Sequence, residues 1–375
     1  MRAEEEAEHV TLDTLPDELL HLVIKASGGI GRCSWPLVPL FEAVKGLGCT
    51  KALFQQLHRL RPLVGVQSLA VVQRPAHGPW CVTLLYPGEL TGAVLEQARQ
   101  GRVRSISTSQ LAPAVARRVV PELLGAGCSL LEFCLWEDNH RKQHCTWAAT
   151  FGEAAVCSVV LRALDLGCCR LQGPLPELRL PALQFLRLDK QQLTGGLEPL
   201  QSCTALQELN LSENKLTGSL EPLRRCTALQ ELFLWMNELT GDLEPLRGCT
   251  ALKELLLNLN HLTGGLGPLR SCTALGKLNL DYNELTGDLE PLRGLTALQE
   301  LWLSNNHLTG DLEPLRGCTA LEELRLSENE LMGGLEPLRD CTELCLLSLE
   351  DNYLVLTDED EVHFEDMLTP YCPPE

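Results

Sequence analysis

The residues of this chain whose types and spacing best suit chemistry are two cysteines and two histidines in one short segment. They follow the pattern Cys134-x5-His140-x3-His144-Cys145. Cysteine sulfur and histidine nitrogen are ligands that zinc favours, in structural and in catalytic sites. The C-x-x-C pairs typical of zinc sites are missing, so a polar loop with scattered buried thiols is the simpler interpretation. We predict no metal and no cofactor here, and metal binding stays the alternative.

Other enzyme motifs are absent from the sequence. It contains no P-loop, no dinucleotide glycine fingerprint, no G-x-S-x-G nucleophile elbow and no kinase motif set. The adjacent thiols Cys168 and Cys169 are more typical of core packing than of redox chemistry. We therefore predict that the protein is not an enzyme.

A second group of residues suits recognition instead of catalysis. Large apolar side chains recur in the second half of the chain, and glutamates recur beside them. Apolar groups that are exposed together usually mark an interface, and Trp and Tyr are favoured where binding energy concentrates. The candidate partner-binding residues are Phe233, Trp235, Met236, Leu256, Leu259, Tyr282, Trp302, Glu231, Glu254 and Glu300. The alternative is that these side chains reflect drift of the repeat sequence and bind no partner.

These candidates lie in a repeat that must position them. Nine segments, spaced 22 or 23 residues apart, carry the pattern L-x-x-L-x-L-x-x-N-x-L or a close variant, as in the copy from Leu206 to Leu216. The leading leucines are Leu161, Leu183, Leu206, Leu229, Leu252, Leu275, Leu298, Leu321 and Leu344. Such a fixed period is typical of a solenoid, because one unit cannot bury its apolar face without stacked neighbours.

The alternation within each copy predicts a short strand. In the copy that begins at Leu206, Leu209 and Leu211 should point into the core, while Glu208 and Asn210 should point outward. Stacked copies then form a parallel sheet whose strands are about 4.8 Å apart. The candidate binding residues fall in outward columns of four adjacent strands, so we expect them to share one surface.

Two further positions of the repeat have predicted roles. The asparagine after each strand, such as Asn260, should hydrogen-bond backbone groups that would otherwise be buried without partners. Gln191 and Cys169 replace it in the two earliest copies, so the ladder is expected to be looser there. Pro222 and its equivalents suit an exposed strand edge, because proline has no N–H to donate.

On these motifs, residues 161–354 resemble the leucine-rich repeat family. The return half Leu216-Thr-Gly-Ser-Leu-Glu-Pro-Leu-Arg is similar to the L-T-G-x-I-P return of the plant-type subclass, with Glu-Pro where that subclass has Pro. The resemblance implies an α/β solenoid, a right-handed coil curved like a horseshoe. It also implies a parallel β-sheet on the concave side and a second short strand in each return.

The N-terminal residues 1–60 are predicted to form a helical segment that caps the solenoid. Leu19, Leu22 and Val23 would lie on one apolar face of such a helix. The run Leu15-Pro16-x-Glu18-Leu19-Leu20 also resembles the opening of an F-box. That resemblance implies docking on an adaptor of cullin-type ubiquitin ligases through residues 11–60.

Two other segments flank the regular repeats. Residues 61–160 are predicted to be irregular early repeats with helical connections, with degenerate strands near 103–106 and 131–136. Residues 355–375 are predicted to be a C-terminal cap and tail. A helix beginning at about Thr357 would pack Phe364, Met367 and Leu368 on the last repeat.

Charge and cysteine usage restrict the partners and the compartment. The formal net charge of -19 argues against nucleic acid, which needs clustered Lys and Arg, and against anionic membrane surfaces. No stretch of 18 apolar residues is present, and the N-terminus lacks an apolar signal region. The 17 cysteines are expected to be reduced. These observations predict a cytoplasmic or nuclear protein.

We interpret the chain as a non-enzymatic protein–protein interaction module. Its concave sheet would bind a protein or peptide that presents basic and apolar groups. The alternative is an F-box-like substrate-recognition subunit of a cullin-type ubiquitin ligase.

Overall fold

A computed structural model describes most of the second half of the chain and several strands of the first half. The described residues are 21–26, 67–73, 80–84, 103–109, 132–136, 145–146, 156–167 and 171–364. The chain divides into two compact units, the first formed by Met1–Gln143 with Ala148–Gly152 and the second by His144–Trp147 with Glu153–Glu375. The predicted domain boundaries at 60, 160 and 354 stay predictions.

The described part of the first unit consists of strands. They are β1 His21–Ala26, β2 Gln67–Gln73, β3 Trp80–Leu84, β4 Val103–Ser109 and β5 Glu132–Trp136. Strands β1, β2 and β3 pair antiparallel, whereas β3, β4 and β5 pair in parallel. The two degenerate strands predicted near 103–106 and 131–136 are therefore confirmed as β4 and β5.

The helical prediction for the N-terminal segment is wrong for the residues that the structure describes there. His21–Ala26 is a strand, and its residue Val23 pairs with Ala70 of β2. The run contains the β-branched neighbours Val23 and Ile24, which favour strands, and a local helical pattern yields to pairing with a distant strand. The F-box-like run at Leu15 lies outside the described residues.

The second unit is built around a long parallel ladder. Its strands are β8 Ala163–Asp165, β11 Phe185–Arg187, β13 Glu208–Asn210, β15 Glu231–Phe233, β17 Glu254–Leu256, β19 Lys277–Asn279, β21 Glu300–Trp302, β23 Glu323–Arg325 and β25 Leu346–Ser348. From β13 onward, each residue pairs with its equivalent one repeat later, as Leu209 does with Leu232. A strand for each copy of the motif confirms the solenoid prediction.

A second parallel ladder runs through the return halves of the repeats. Its strands are β6 Cys145–Thr146, β9 Leu171–Pro174, β12 Gln192–Gly195, β14 Lys215–Gly218, β16 Glu238–Gly241, β18 His261–Gly264, β20 Glu284–Gly287, β22 His307–Gly310, β24 Glu330–Gly333 and β26 Tyr353–Leu354. Strands β7 Val156–Cys157 and β10 Leu178–Arg179 form a separate parallel pair. The second strand implied by the family resemblance is thus present.

Short 3₁₀ helices close the repeats after the second ladder. They are η1 Glu198–Leu200, η2 Glu221–Leu223, η3 Glu244–Leu246, η4 Gly267–Ser271, η5 Glu290–Leu292, η6 Glu313–Leu315 and η7 Glu336–Leu338. The prolines of the return half lie in the first turn of these helices, and Pro245 and Pro291 are buried. The prediction that they line an exposed strand edge is therefore wrong. The first helical turn tolerates a residue without an N–H equally well.

The core consists of leucine columns and one thiol column. The inward leucines Leu209, Leu232, Leu255, Leu278, Leu301 and Leu324 each have 0% exposure, as predicted. The thiols of Cys203, Cys226 and Cys249 are buried and free. Each donates to a carbonyl of the preceding repeat, as Cys226 Sγ does to Cys203 O at 3.5 Å. Burial raises the pKa of the Cys226 thiol to about 12, so it stays protonated.

The asparagine column makes the backbone contacts that the sequence predicts. Asn260 Nδ2 donates to the carbonyls of Leu234 and Leu257 at 3.0 Å, and its Oδ1 accepts from Leu239 N at 3.0 Å. The early copy that carries Gln191 is not looser at this position, whereas Cys169 lies outside the described residues. Gln191 there donates to Leu166 O at 2.9 Å and accepts from Leu171 N at 2.6 Å, because its longer side chain reaches the same groups.

A short helix follows the last repeat. Helix α1 spans Asp358–Phe364, and Thr357 and Asp360 cap its start reciprocally. Phe364 is 1% exposed, as predicted, whereas Met367 and Leu368 lie outside the described residues. Among the residues that the structure describes, no helix is long and apolar enough to cross a membrane.

Candidate protein-binding face

The candidate site lies on one face of the long ladder, formed by side chains that point away from the leucine core. We call it the ladder face and define it by the outward side chains of β11 to β25. From β13 to β23 its first column is acidic except at one position, and its residues pair strand to strand. The column reads Glu208, Glu231, Glu254, Lys277, Glu300 and Glu323.

The second column holds three of the predicted apolar residues. It reads Asn210, Phe233, Leu256, Asn279, Trp302 and Arg325. Phe233 and Leu256 are direct neighbours, and both are half-buried. Asn279 separates them from Trp302, which is also half-buried. The structure therefore brings the predicted residues onto one face but divides the apolar part into two groups.

The remaining predicted residues follow the strands. Trp235 is half-buried beyond β15, and Met236 beside it is 46% exposed. Met236, Leu259 and Tyr282 occupy one column and have left-handed backbones, with φ of 54°, 56° and 54°. Such angles are uncommon for residues other than glycine, asparagine and aspartate. The ladder imposes them, because Leu259 N must donate to Asp281 O, at 2.9 Å, in the next repeat.

Trp302 is flanked by two cations of the protein itself. Lys277 Nζ lies 4.8 Å from the centroid of the Trp302 ring, and Arg325 Cζ lies 4.3 Å from it. Each cation also pairs with a carboxylate of the first column. Lys277 contacts Glu300, and the Arg325 guanidinium is 3.2 Å from Glu323. Trp302 is thus held in a charged stack that spans β19, β21 and β23.

The carboxylates at the other end of the first column are not paired in this way, although Lys277 is the strand neighbour of Glu254. Glu208, Glu231 and Glu254 are half-buried, and none forms an ion pair with any residue that the structure describes. Burial, followed by repulsion from Glu231, raises the pKa of Glu208. Among the described residues, the face therefore carries carboxylates without ion pairs over β13 to β17, although Arg187 attracts Glu208, and it is internally paired over β19 to β23.

A buried polar cluster lies next to the Trp302 stack, and the sequence analysis missed it. Burial raises the pKa of Asp281 to about 7, although Ser304 N donates to its carboxylate at 2.6 Å and Arg325 attracts it. Within the described part of the chain, Trp302 Nε1 and Ser304 Oγ are buried without hydrogen-bond partners. The hint in the sequence was an aspartate followed by serines at one outward position of successive repeats.

A groove of about 720 Å³ adjoins the ladder face along the turns. The predicted residues Leu259 and Tyr282 line it, together with His261, Glu284 and His307. The groove was not predicted from the sequence, because its lining combines three consecutive positions from each of four successive repeats.

The structure neither supports nor tests a metal site at the cysteine and histidine segment. The side chains of Cys134 and Cys145, and all of His140 and His144, lie outside what the structure describes. Among the described residues, no group of three or more His, Cys, Asp or Glu side chains could hold a metal ion.

Comparisons with known proteins agree with the ladder geometry. A family model of leucine-rich repeats, in two copies, matches residues 204–248 and 296–340. No curated protein sequence matches the chain. The plant peptide hormone receptor RGFR1, solved in complex with RGF2, is 26% identical with a TM-score of 0.55. The match covers 67% of this chain and 40% of that receptor.

Two Arabidopsis receptor kinases have similar folds. HAESA, solved with the peptide hormone IDA and the co-receptor SERK1, is 22% identical with a TM-score of 0.60, over 76% of this chain and 48% of that one. GASSHO1/SCHENGEN3 from Arabidopsis thaliana, solved with CASPARIAN STRIP INTEGRITY FACTOR 2, is 23% identical with a TM-score of 0.60. That match covers 75% of this chain and 36% of GASSHO1/SCHENGEN3. The chain thus spans less than half of each structure. The repeats of this chain, by motif, ladder and similarity, form a leucine-rich repeat solenoid.

Proposed function

We propose that the protein is a non-enzymatic interaction module whose ladder face binds a protein or peptide with basic and apolar groups. The observation that carries this proposal is the combination of half-buried Phe233, Leu256 and Trp235 with three carboxylates on β13 to β17 that form no ion pair with any described residue. An apolar surface rimmed by one sign of charge fits a partner of the opposite charge. The similarity to RGFR1, solved in complex with RGF2, adds support for a peptide or protein partner.

Affinity capture with the intact chain tests the proposal. Trp235→Ala should weaken capture of the partner by about 2 kcal/mol, which is the usual scale for a central aromatic contact. The melting temperature should hardly change, because Trp235 is half-buried and lies outside the leucine core. Trp302→Ala should also weaken capture. Its effect is less specific to a direct contact with the partner, because the substitution also removes the ring over which Lys277 and Arg325 lie.

A matched control is available on the other ladder. Tyr353, on β26, is 70% exposed and is not part of the ladder face, so Tyr353→Ala should leave capture unchanged. If Trp235→Ala lowers stability strongly and leaves binding intact, these side chains are packed structure and the binding site lies elsewhere.

We also propose a reducing compartment, the cytoplasm or the nucleus, for this protein. The buried free thiols of the Cys203 column support this. Alkylation of the protein in denaturant, directly after cell lysis, should label these thiols. Resistance to labelling until a reductant is added would contradict the proposal.

The second candidate function is an F-box-like substrate receptor, and it rests on the run Leu15-Pro16-x-Glu18-Leu19-Leu20. In this case the intact chain should bind a purified Skp-type adaptor, and Leu19→Ala should weaken that binding. Absence of binding by the intact chain would reject this candidate and leave the ladder-face proposal standing.

A further inference from the structure

The stack around Trp302 shows which chemistry the ladder face accepts. Lys277 lies over the ring while it pairs with Glu300, and Arg325 lies over the ring while it pairs with Glu323. Cations over aromatic rings and cations against carboxylates are both attractive, and the two interactions are satisfied together here. A carboxylate of the first column beside an aromatic ring of the second column therefore forms a cation site.

The same pair of positions recurs three strands earlier, where no cation of the described residues lies over the ring. Phe233 occupies the position equivalent to Trp302, and Glu231 occupies the position equivalent to Glu300. The neighbours of Phe233 in the second column are Asn210 and Leu256, where Trp302 has Asn279 and Arg325. Glu231 itself lies between Glu208 and Glu254, where Lys277 supplies a cation next to Glu300.

Arg187, one strand before β13, does not supply the missing cation. Its guanidinium forms an ion pair with Asp189 of the same repeat, at 2.6 Å. Its attraction lowers the pKa of Glu208, but burial and the repulsion from Glu231 outweigh it. Like charges on neighbouring strands thus remain close together, and a partner that brings a cation would relieve their repulsion.

We propose that Phe233, Glu231 and their neighbours Glu208 and Glu254 form a subsite for an arginine side chain of the bound partner. The guanidinium stacks on the Phe233 ring and pairs with Glu231. Arginine is preferred over lysine because its planar group can stack and bind a carboxylate through two N–H groups at once. This inference rests on the proposed function, since it names the group that the ladder face recognises.

A small probe tests the subsite without the natural partner. The probe is the peptide acetyl-Arg-Gly-Arg-amide, added to the intact chain and followed by NMR at the Phe233 ring and the Glu231 carboxyl carbon. The expected result is a saturable shift of both signals. The matching peptide with citrulline, which has the same shape without the charge, should give no such shift, and a lysine peptide should bind more weakly.

Two variants make the test specific. Glu231→Gln should weaken the probe by about fivefold, the upper range for a partly exposed ion pair. Glu323→Gln should leave it unchanged, because the Glu323 carboxylate already pairs with Arg325. Phe233→Leu keeps an apolar side chain and should also weaken the arginine peptide. Equal binding of the citrulline peptide, or equal effects of the two glutamine variants, would overturn the subsite.

The test separates this inference from the function on which it rests. If the probe fails to bind while capture of a natural partner depends on Trp235, the arginine subsite is wrong and the interaction module stands. If the probe binds as expected while capture is insensitive to Trp235, the subsite stands and the wider binding face is wrong. Melting curves of each variant show that the fold is retained, since Glu231→Gln removes repulsion and should not lower stability.

Discussion

At the scale of single residues, one side chain per repeat replaces the backbone partners that a tight turn removes. Asn260 is 5% exposed and bonds backbone groups of its own and the preceding repeat. Asn352 makes the same set of bonds at the last repeat, but it is half-buried. Burial, more than the number of bonds, should therefore decide how much each asparagine contributes.

Asn260→Ala should lower the free energy of unfolding by about 1–3 kcal/mol, because buried carbonyl and N–H groups lose their partners. Asn352→Ala should cost less, since water can reach the groups that it leaves. Denaturant unfolding of both variants measures the difference. Equal losses would contradict the role of burial.

Asp281 makes stability depend on pH in an unusual direction for a carboxylate. Its pKa in the folded state is raised to about 7 from an ordinary 3.8, mainly by burial. Because the pKa is higher in the folded state, the contribution of Asp281 to stability is complete at pH values below its pKa in the unfolded state. That contribution is lost as the pH rises through its pKa in the folded state. The window is therefore about pH 4 to 7.

Asp281→Asn should remove this dependence. Relative to the variant, the natural protein should lose up to about 4 kcal/mol of unfolding free energy between pH 4 and 7. This figure follows because each unit of difference in pKa between the two states corresponds to about 1.4 kcal/mol. Unfolding curves at several pH values check this. Parallel curves for both proteins would show that the Asp281 carboxylate is not buried as described.

At the scale of elements, the long ladder forces a left-handed residue after each of its strands from β11 to β25, and this column is part of the candidate site. Leu259 has φ of 56°, and Asn305 takes the same position two repeats later with φ of 55°. Asparagine tolerates this conformation better than leucine, for which it costs about 1–2 kcal/mol. The column thus combines local strain with exposure, a pairing often found at functional sites.

Leu259→Asn should leave the free energy of unfolding within about 1 kcal/mol of the natural value, because relief of strain offsets the lost apolar contact. Partner capture should fall, since Leu259 lines the face and the groove. Leu257→Asn is the control, since Leu257 is 0% exposed and its replacement should cost about 3 kcal/mol or more. Similar losses in both variants would mean that Leu259 belongs to the core.

At the scale of the whole molecule, the described repeats of the second unit contact mainly their neighbours along the ladders. Stability is then approximately a sum of repeat and interface terms. Deletion of residues 238–260, one full repeat, should therefore give a folded protein with a smaller denaturant m-value, in proportion to the lost surface. Deletion of 238–249 should disrupt folding, because it breaks the register. Circular dichroism and urea unfolding compare the two proteins, and equal disruption would contradict the modular picture.

The sequence by itself determined the repeat architecture. The leucines at 209, 232 and 255 are buried, and the strands lie where the alternation predicts them. This was possible because inward and outward positions follow from local alternation, and a constant period sets the register between copies. The alternation of two residues within a strand and the period of 23 residues between copies also set the order of the outward columns. They therefore place the candidate residues on one shared face.

The tertiary structure decided what each outward side chain meets. Lys277 and Arg325 reach Trp302 from neighbouring strands, whereas no cation among the described residues lies over Phe233. The burial of Asp281 was likewise invisible in the sequence. Such contacts join side chains about one repeat apart, and their geometry depends on rotamers and burial, which a linear pattern does not encode. The strand His21–Ala26 was likewise decided by tertiary contacts, since it pairs with Gln67–Gln73, which lies far along the chain.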